Sequence, residues 1–521
     1  MMNPVYIAGT GMVPFSKTPQ ALDSLLYNAA KLALDQSRSI ANNVPDAVVI
    51  GVMDPIGYSG TGVSAAALRG RLGLPPNTAA YPISLGSASG SEALLLAHNL
   101  CQLGKTVLVC FGESVNLAQS PNRSGDILSS VIDAEERAIG LFNMPTVAAL
   151  ATNRYQRMYK VTDQSFREIA FSMTEASRKY GSKNPYVPDK FKVPVSQQEY
   201  DDPSKNRIIA SPLSFYDCST SDHSGAGAVV FTPKKTDLKL ASIATAFDHD
   251  KYLQRRDLLA IDSVVNAGAQ AFREAGINPH DIMALEIHDA FKSVPIVLLE
   301  NLGIAMRGKG AEAILYERNA RGKPILFNRS GGFLARTHPV GASGGAQLVE
   351  LVCQMRGERQ YDLMLWESQR DMNYGLLCNI NSFGTDTIVA IVEKTAPHAK
   401  PRFNEAHLPK KFDENAQGQG YHKRIQQRAA KMIGNNPIHA LTHIPANPRK
   451  DGDTDTYIAI VDTPKGKRIG VSKNEFADYI YFDEYNNPES VKLGEIGRRM
   501  ALQVVDSVRS RLGIAGTKEA A

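Results

Sequence analysis

The chain has 521 residues, 43% hydrophobic and 21% charged, with a net charge of +5. That length and balance describe a soluble globular protein of two or three domains and exclude collagen-like or wholly disordered classes. No apolar run reaches the ~18–20 residues that span a bilayer, and five widely spaced cysteines argue against a disulfide framework.

In chain order, VYIAGTGM is a β-like run, SLLYNAAKLALDQS an amphipathic helix and AVVIGV a buried strand. SEALLLAHNLCQLG then predicts a helix and KTVLVCFGES a strand, so the alternation is α/β. A more polar region follows over about 115–212, with helical stretches TVAALATNRYQRMY and SFREIAFSMTEASRKY and the Pro-broken loop KNPYVPDKFKVP. GAVVFTP returns to a strand.

The second half repeats this plan. SVVNAGAQAFREAG is a helix, ALEIHDAF a strand and turn, GASGGAQLVELVCQMRG a helix, and DLMLWES and DTIVAIVEK are strands. ASGSEALLLAHNLCQLGKTVLVCFGES aligns with ASGGAQLVELVCQMRGERQYDLMLWES through ASG, a CQ pair and a final ES, with helices two residues different in length. A duplicated unit explains this. The expected boundaries are 1–240 and 241–396 for the two halves, 397–430 for a linker, and 431–521 for a small β-rich domain. Its strands are PIHALTHIP, DTYIAIVDTP and KRIGVS, and GEIGRRMALQVVDSVRSRLG is its closing helix.

Residues 400–450 hold ten Lys/Arg against three Asp/Glu, so the positive charge belongs to this segment. It reads as a solvated basic face or a contact for an acidic ligand. The β-rich domain shows no run of aromatics interleaved with basic residues, as nucleic-acid binding would favour, so no nucleic-acid partner is expected. MMNPVYIAGTGM is not a secretory signal and KEAA is not a peroxisomal address; the expected location is cytoplasmic. No CxxC or HExxH supports a metal.

Four loops stand where α/β folds place their sites. GSASG puts Ser87 and Ser89 at a helix N-terminus, where orphan N–H groups favour developing negative charge. IHDAF carries His288 and Asp289, SGGFLARTHPVGASGG carries His338 among glycines, and LLCNINSFGTD carries Cys378. Each has a structural reading too: the serines as N-caps, His288 bonded to backbone, Cys378 as a small buried residue. Together a nucleophile, two histidines and a thiol would suit acyl transfer.

HDAF, SGGFLARTHPVGASG and LSFYDCSTSDHSGAGAVVF are the most specific stretches. Over about residues 3–395 they resemble the thiolase superfamily, nearest its sterol-carrier-protein branch. The extra C-terminal segment resembles thiolase-like proteins of type 1. The resemblance implies a duplicated βαβαβαββ fold in five αβαβα layers, a small C-terminal β-barrel-like domain, and a loop region over coenzyme A. It implies an acyl-CoA substrate with no permanently bound cofactor, and a homodimer, or a monomer as in type 1 proteins. The family's dimer strand would be VLVCFGE.

Residue by residue, Ser87 stands where thiolases place the nucleophilic cysteine. His288 matches the oxyanion-hole histidine, but Ala290 replaces that motif's cysteine. His338 matches the histidine that activates the nucleophile, and Thr337 replaces the preceding glycine. Cys378 is the candidate second cysteine, although Ile380 stands where the family's CxG has glycine. The implied function is an acyltransferase of the acetyl-CoA acetyltransferase family, in lipid or fatty-acid metabolism. The alternatives are a non-catalytic acyl-CoA or lipid-binding protein, or a retro-aldol lyase on a CoA ester.

Overall fold

The computed structural model describes residues 2–411, apart from 42–43, 61, 63–64, 118–120, 139–140, 142, 359–371 and 397, and four strands beyond residue 437. The first half contributes β1 (Tyr6–Met12), β2 (Ala47–Gly51), β3 (Ala79–Ile83), β4 (Val107–Glu113) and, after the small hairpin β5 (Ile208–Ala210) and β6 (Leu213–Ser214), β7 (Gly225–Thr232). The second contributes β8 (Leu238–Phe247), β9 (Ala284–Ile287), β10 (Leu326–Phe327), β11 (Tyr374–Asn381) and β12 (Asp386–Lys394). The sheet order is β10-β9-β11-β12-β8-β1-β7-β4-β2-β3. Read outward from the β1–β8 junction, both halves follow one plan, so the duplication expected from sequence is present.

Hydrophobic patterning sets the layers. β4 sends Val107, Val109 and Phe111 to an inner core and Leu108 and Cys110 to an outer one, the period-2 alternation of a strand. The helices Ser89–Gln102 and Ser343–Arg356 fill the inner core. Helix Leu22–Ala41 covers the outer face of the first half, and helix Asp262–Ala275 packs on β8 and β12 of the second. The two central helices approach closely at Gly90, where a Cβ would lie 2.9 Å from Gly345 N.

Three sequence expectations change. VLVCFGE is β4, paired on both sides by β2 and β7 and wholly buried, so it cannot be a dimer edge; the free edge of the first half is the part-exposed β3. Both central helices have 14 residues, so the CQ pairs, Cys101–Gln102 and Cys353–Gln354, fall two positions apart and their match carries no structural equivalence. DLMLWES lies outside the described residues, and the strand in the place equivalent to β4 is β11.

Much of the region over 115–212 is helical, including Met144–Tyr159 and Asp163–Gly181, each with a side-chain N-cap. Residues 398–411 are held against the second half. Lys400 pairs with Glu393, and Asn404 N donates to Asn278 Oδ1 at 2.9 Å. A second compact unit comprises 132–142 and 414–521. In it β13 (Ile438–Ile444), β14 (Thr456–Thr463), β15 (Gly466–Lys473) and β16 (Asp478–Phe482) form an antiparallel sheet in sequential order. The first three are the strands read from sequence. The closing helix and most of the basic segment lie outside the described residues.

Candidate active site

The turn before helix Ser89–Gln102 is built by its serines. Ser89 Oγ accepts from Leu85 N at 2.8 Å and donates to Gly86 O at 2.7 Å. Gly86 has φ +48°, and a Cβ there would fall 2.1 Å from Asn381 Oδ1, so glycine is required. The N-cap is Ala88, which makes no side-chain cap bond; neither Ser87 nor Ser89 is an N-cap. Ser87 instead turns toward β11. Its N–H donates to Asn381 Oδ1 at 3.2 Å and its hydroxyl to Ile380 O at 2.8 Å.

Strand β11 decides which residues enter the site. Alternation puts Leu377, Asn379 and Asn381 on the face of the central helices, and Leu376, Cys378 and Ile380 on the other. Leu377 joins the inner core, and the Asn379 and Asn381 side chains touch the residues of the turn. Cys378 therefore points away from the cluster, which corrects its expected role. It pairs with Ile287 of β9 as Cys110 pairs with Ile50 of β2, so the two cysteines hold equivalent places in the repeat. Both are fully buried, and burial pushes both thiols up, away from thiolate. The residues missed from sequence are Asn379 and Asn381; the signal was the period-2 pattern of LLCNIN.

Asn379 links the two halves of the site. Its Oδ1 lies 2.9 Å from Ser91 Oγ, and its Nδ2 lies 3.2 Å from His288 Nδ1. An amide N–H₂ only donates, so His288 Nδ1 accepts and the ring proton sits on Nε2. The His288 backbone N–H donates to Cys378 O at 2.9 Å, fixing the loop to β11. Burial, and His338 beside it, hold His288 well below the ordinary imidazole range.

His338 meets His288 edge to face, with ring centroids 5.2 Å apart, and stacks on Phe333 at 4.8 Å. Its Nδ1 is 2.7 Å from Ser343 Oγ, and its N–H donates to Thr220 O at 2.8 Å. Burial, with Arg336 nearby, pushes it down to about 3. Phe333 is set by Asp289, whose Oδ1 accepts its N–H at 2.7 Å. Thr337 adopts φ +77°, a region natural to glycine and strained for a β-branched residue. Its hydroxyl is buried with no hydrogen bond among the described residues. Ala290 is buried, and its carbonyl accepts from Ser219 N at 2.7 Å.

The structure thus joins Ser87 to Asn381, and His288 to Asn379 and His338, with the two asparagines on one face of β11. Both imidazoles are neutral at ordinary pH and available as bases or neutral donors. Among the described residues no hydrogen bond joins Ser87 to either histidine, and its proton faces a carbonyl, which cannot act as a base. No group of three or more His, Cys, Asp or Glu among them is placed to hold a metal, and no helix is long and apolar enough to cross a membrane.

The family model described as "Thiolase C-terminal domain-like" matches residues 244–393. An acetyl-CoA acetyltransferase of Methanothermobacter thermautotrophicus is 32% identical over 238 residues, 44% of this chain. The match spans 60% of that relative's length. Among solved structures, a monomeric SCP2-thiolase like protein type 1 from Mycobacterium smegmatis superposes with a TM-score of 0.58 at 16% identity, over 90% of this chain and 92% of that one. The Ltp2-ChsH2(DUF35) aldolase gives 0.61 at 18%, over 75% and 98%. At these identities the structural likeness concerns the fold.

Proposed function

We propose, from the match of residues 244–393 to the thiolase C-terminal model, that this chain is a thiolase-like enzyme acting on acyl-CoA esters, and that it makes or breaks a carbon–carbon bond by proton transfer without an acyl-enzyme. The observation that carries this reading is that the Ser87 hydroxyl donates to Ile380 O. A serine hydroxyl needs a base to become a nucleophile, and none is bonded to it.

In the cleavage direction the substrate is a 3-hydroxyacyl-CoA. His338 takes the proton of the 3-hydroxyl, the freed electron pair forms the carbonyl, and the C2–C3 bond breaks. Its electrons move into the thioester, whose oxygen gains charge and accepts from His288 Nε2–H, an oxyanion-hole role. C2 then recovers the proton from His338. The products are a carbonyl compound and a shortened acyl-CoA.

A serine acyl-enzyme of an acyltransferase is the second reading. Ser87 at a helix N-terminus, with its N–H oriented by Asn381, favours it. One experiment separates the two. The full chain is incubated with a 3-hydroxyacyl-CoA and, separately, with acetyl-CoA, and products and intact protein mass are followed. A shortened acyl-CoA without free CoA and without a protein adduct is expected. An acyl adduct lost in Ser87→Ala would establish the acyltransferase instead. Acyl-CoA binding with neither product nor adduct would leave a binding protein.

A further inference from the structure

Behind the two histidines lies a cavity of about 310 Å³ that none of Ser87, His288 and His338 lines. Its relation to the site follows from chain direction. His288 and Phe333 face the reacting cluster, while their immediate neighbours Asp289 and Leu334 line the cavity. Met173 and Ala176 of helix Asp163–Gly181, with Phe327, complete an apolar body.

An engineered apolar cavity of about 150 Å³ accepts one benzene ring, so this one suits two rings. Six polar residues face the same space: Ser172, Ser177, Tyr180, Asp289, Glu317 and Asn328. Tyr180 is clamped by Arg329, whose guanidinium lies 4.1 Å from the ring centroid and pairs with Glu317. Asp289 is buried, and burial pushes its carboxyl up to about 7. Near neutrality such a group both donates and accepts, which matches a hydroxyl.

We propose that this cavity is a second ligand site, separate from the reacting one, that takes a two-ring apolar molecule bearing a hydroxyl hydrogen-bonded by Asp289. The assignment does not depend on the chemistry proposed for the histidines. The ligand touches residues adjacent to His288 and Phe333, so its occupancy is one residue from the ring stack.

The test is titration of 2-naphthol into the full chain at pH 7 by calorimetry, with and without saturating coenzyme A. A single site is expected, retained when coenzyme A is present. Ala176→Phe, which fills the cavity from the helix, should weaken binding at least tenfold with an unchanged circular dichroism spectrum. Asp289→Leu is close in size, removes both donor and acceptor and should weaken it about fivefold, so the proposal stays testable if Ala176→Phe fails to fold. No binding to the unaltered chain, displacement by coenzyme A, or binding unchanged in a folded variant would each overturn it.

Discussion

Asn379 Nδ2 stands 3.2 Å from His288 Nδ1, and this one contact sets the tautomer of the imidazole. The same amide reaches Ser91 on the central helix of the first half, so the two copies of the repeat are joined at the reacting cluster.

Asn379→Asp replaces the donor with an acceptor that carries charge. His288 must then hold a proton on Nδ1, and the carboxylate raises its pKa. Nuclear magnetic resonance titration of ring-labelled histidine should show His288 gaining its proton at a higher pH than in the unaltered protein. An unshifted ring would mean that residue 379 does not govern it.

Acid destabilisation should carry the signature of the buried histidines. His338 lies near 3 when folded and near 6.5 when unfolded. Its folded pKa is depressed, so below about pH 6.5 the unfolded chain binds the proton first, and stability falls as pH drops toward 3. The slope is about 1.4 kcal/mol per pH unit for one such histidine. Glu113 and Glu286, raised to about 8, slope the opposite way, because they hold protons that the unfolded chain releases as pH rises above 4.5. The comparison is therefore between the unaltered chain and His338→Gln, whose urea midpoint should depend less on pH between 6.5 and 4. Equal dependence would refute neutral burial of His338.

Thr337→Gly should stabilise the protein. A β-branched residue at φ +77° costs about 1–3 kcal/mol. The greater backbone freedom of glycine in the unfolded chain returns about 0.5–1 kcal/mol of that. A gain of about 1 kcal/mol in denaturant unfolding is expected, and a loss would show that the threonine methyl packs more favourably than its backbone is strained.

Cys378→Ala should leave turnover intact and lower stability by about 1 kcal/mol, as should Cys110→Ala. The paired substitution is the control, because the two cysteines are equivalent in the repeat. Turnover abolished in a folded Cys378→Ala, but not in Cys110→Ala, would return Cys378 to the reacting cluster.

Much of the fold was legible in local pattern. Buried runs such as AVVIG and GAVVFT read as strands, and the ASG-started helices read as a repeat, because periodicity is a property of the chain itself. Ser87, His288 and His338 were legible as candidates because they stand in turns at element ends, those of Ser87 and His338 rich in glycine. Cys378 misled because a thiol near a turn attracts a catalytic reading, while the direction of a strand side chain depends on register. Asn379 was overlooked because an asparagine gains its meaning only from what it faces.

The sequence by itself determined the duplicated α/β plan and the place of Ser87 in a tight turn before a helix, since both are written in residue identity and spacing. Tertiary structure alone decided that the Asn379 side chain meets the His288 ring, and that the Ser87 proton goes to Ile380 O. The physical reason is that these contacts join residues 91 and 293 positions apart. They exist only once β11 is paired in register with β9, and a shift of one residue would exchange the asparagines for the cysteine.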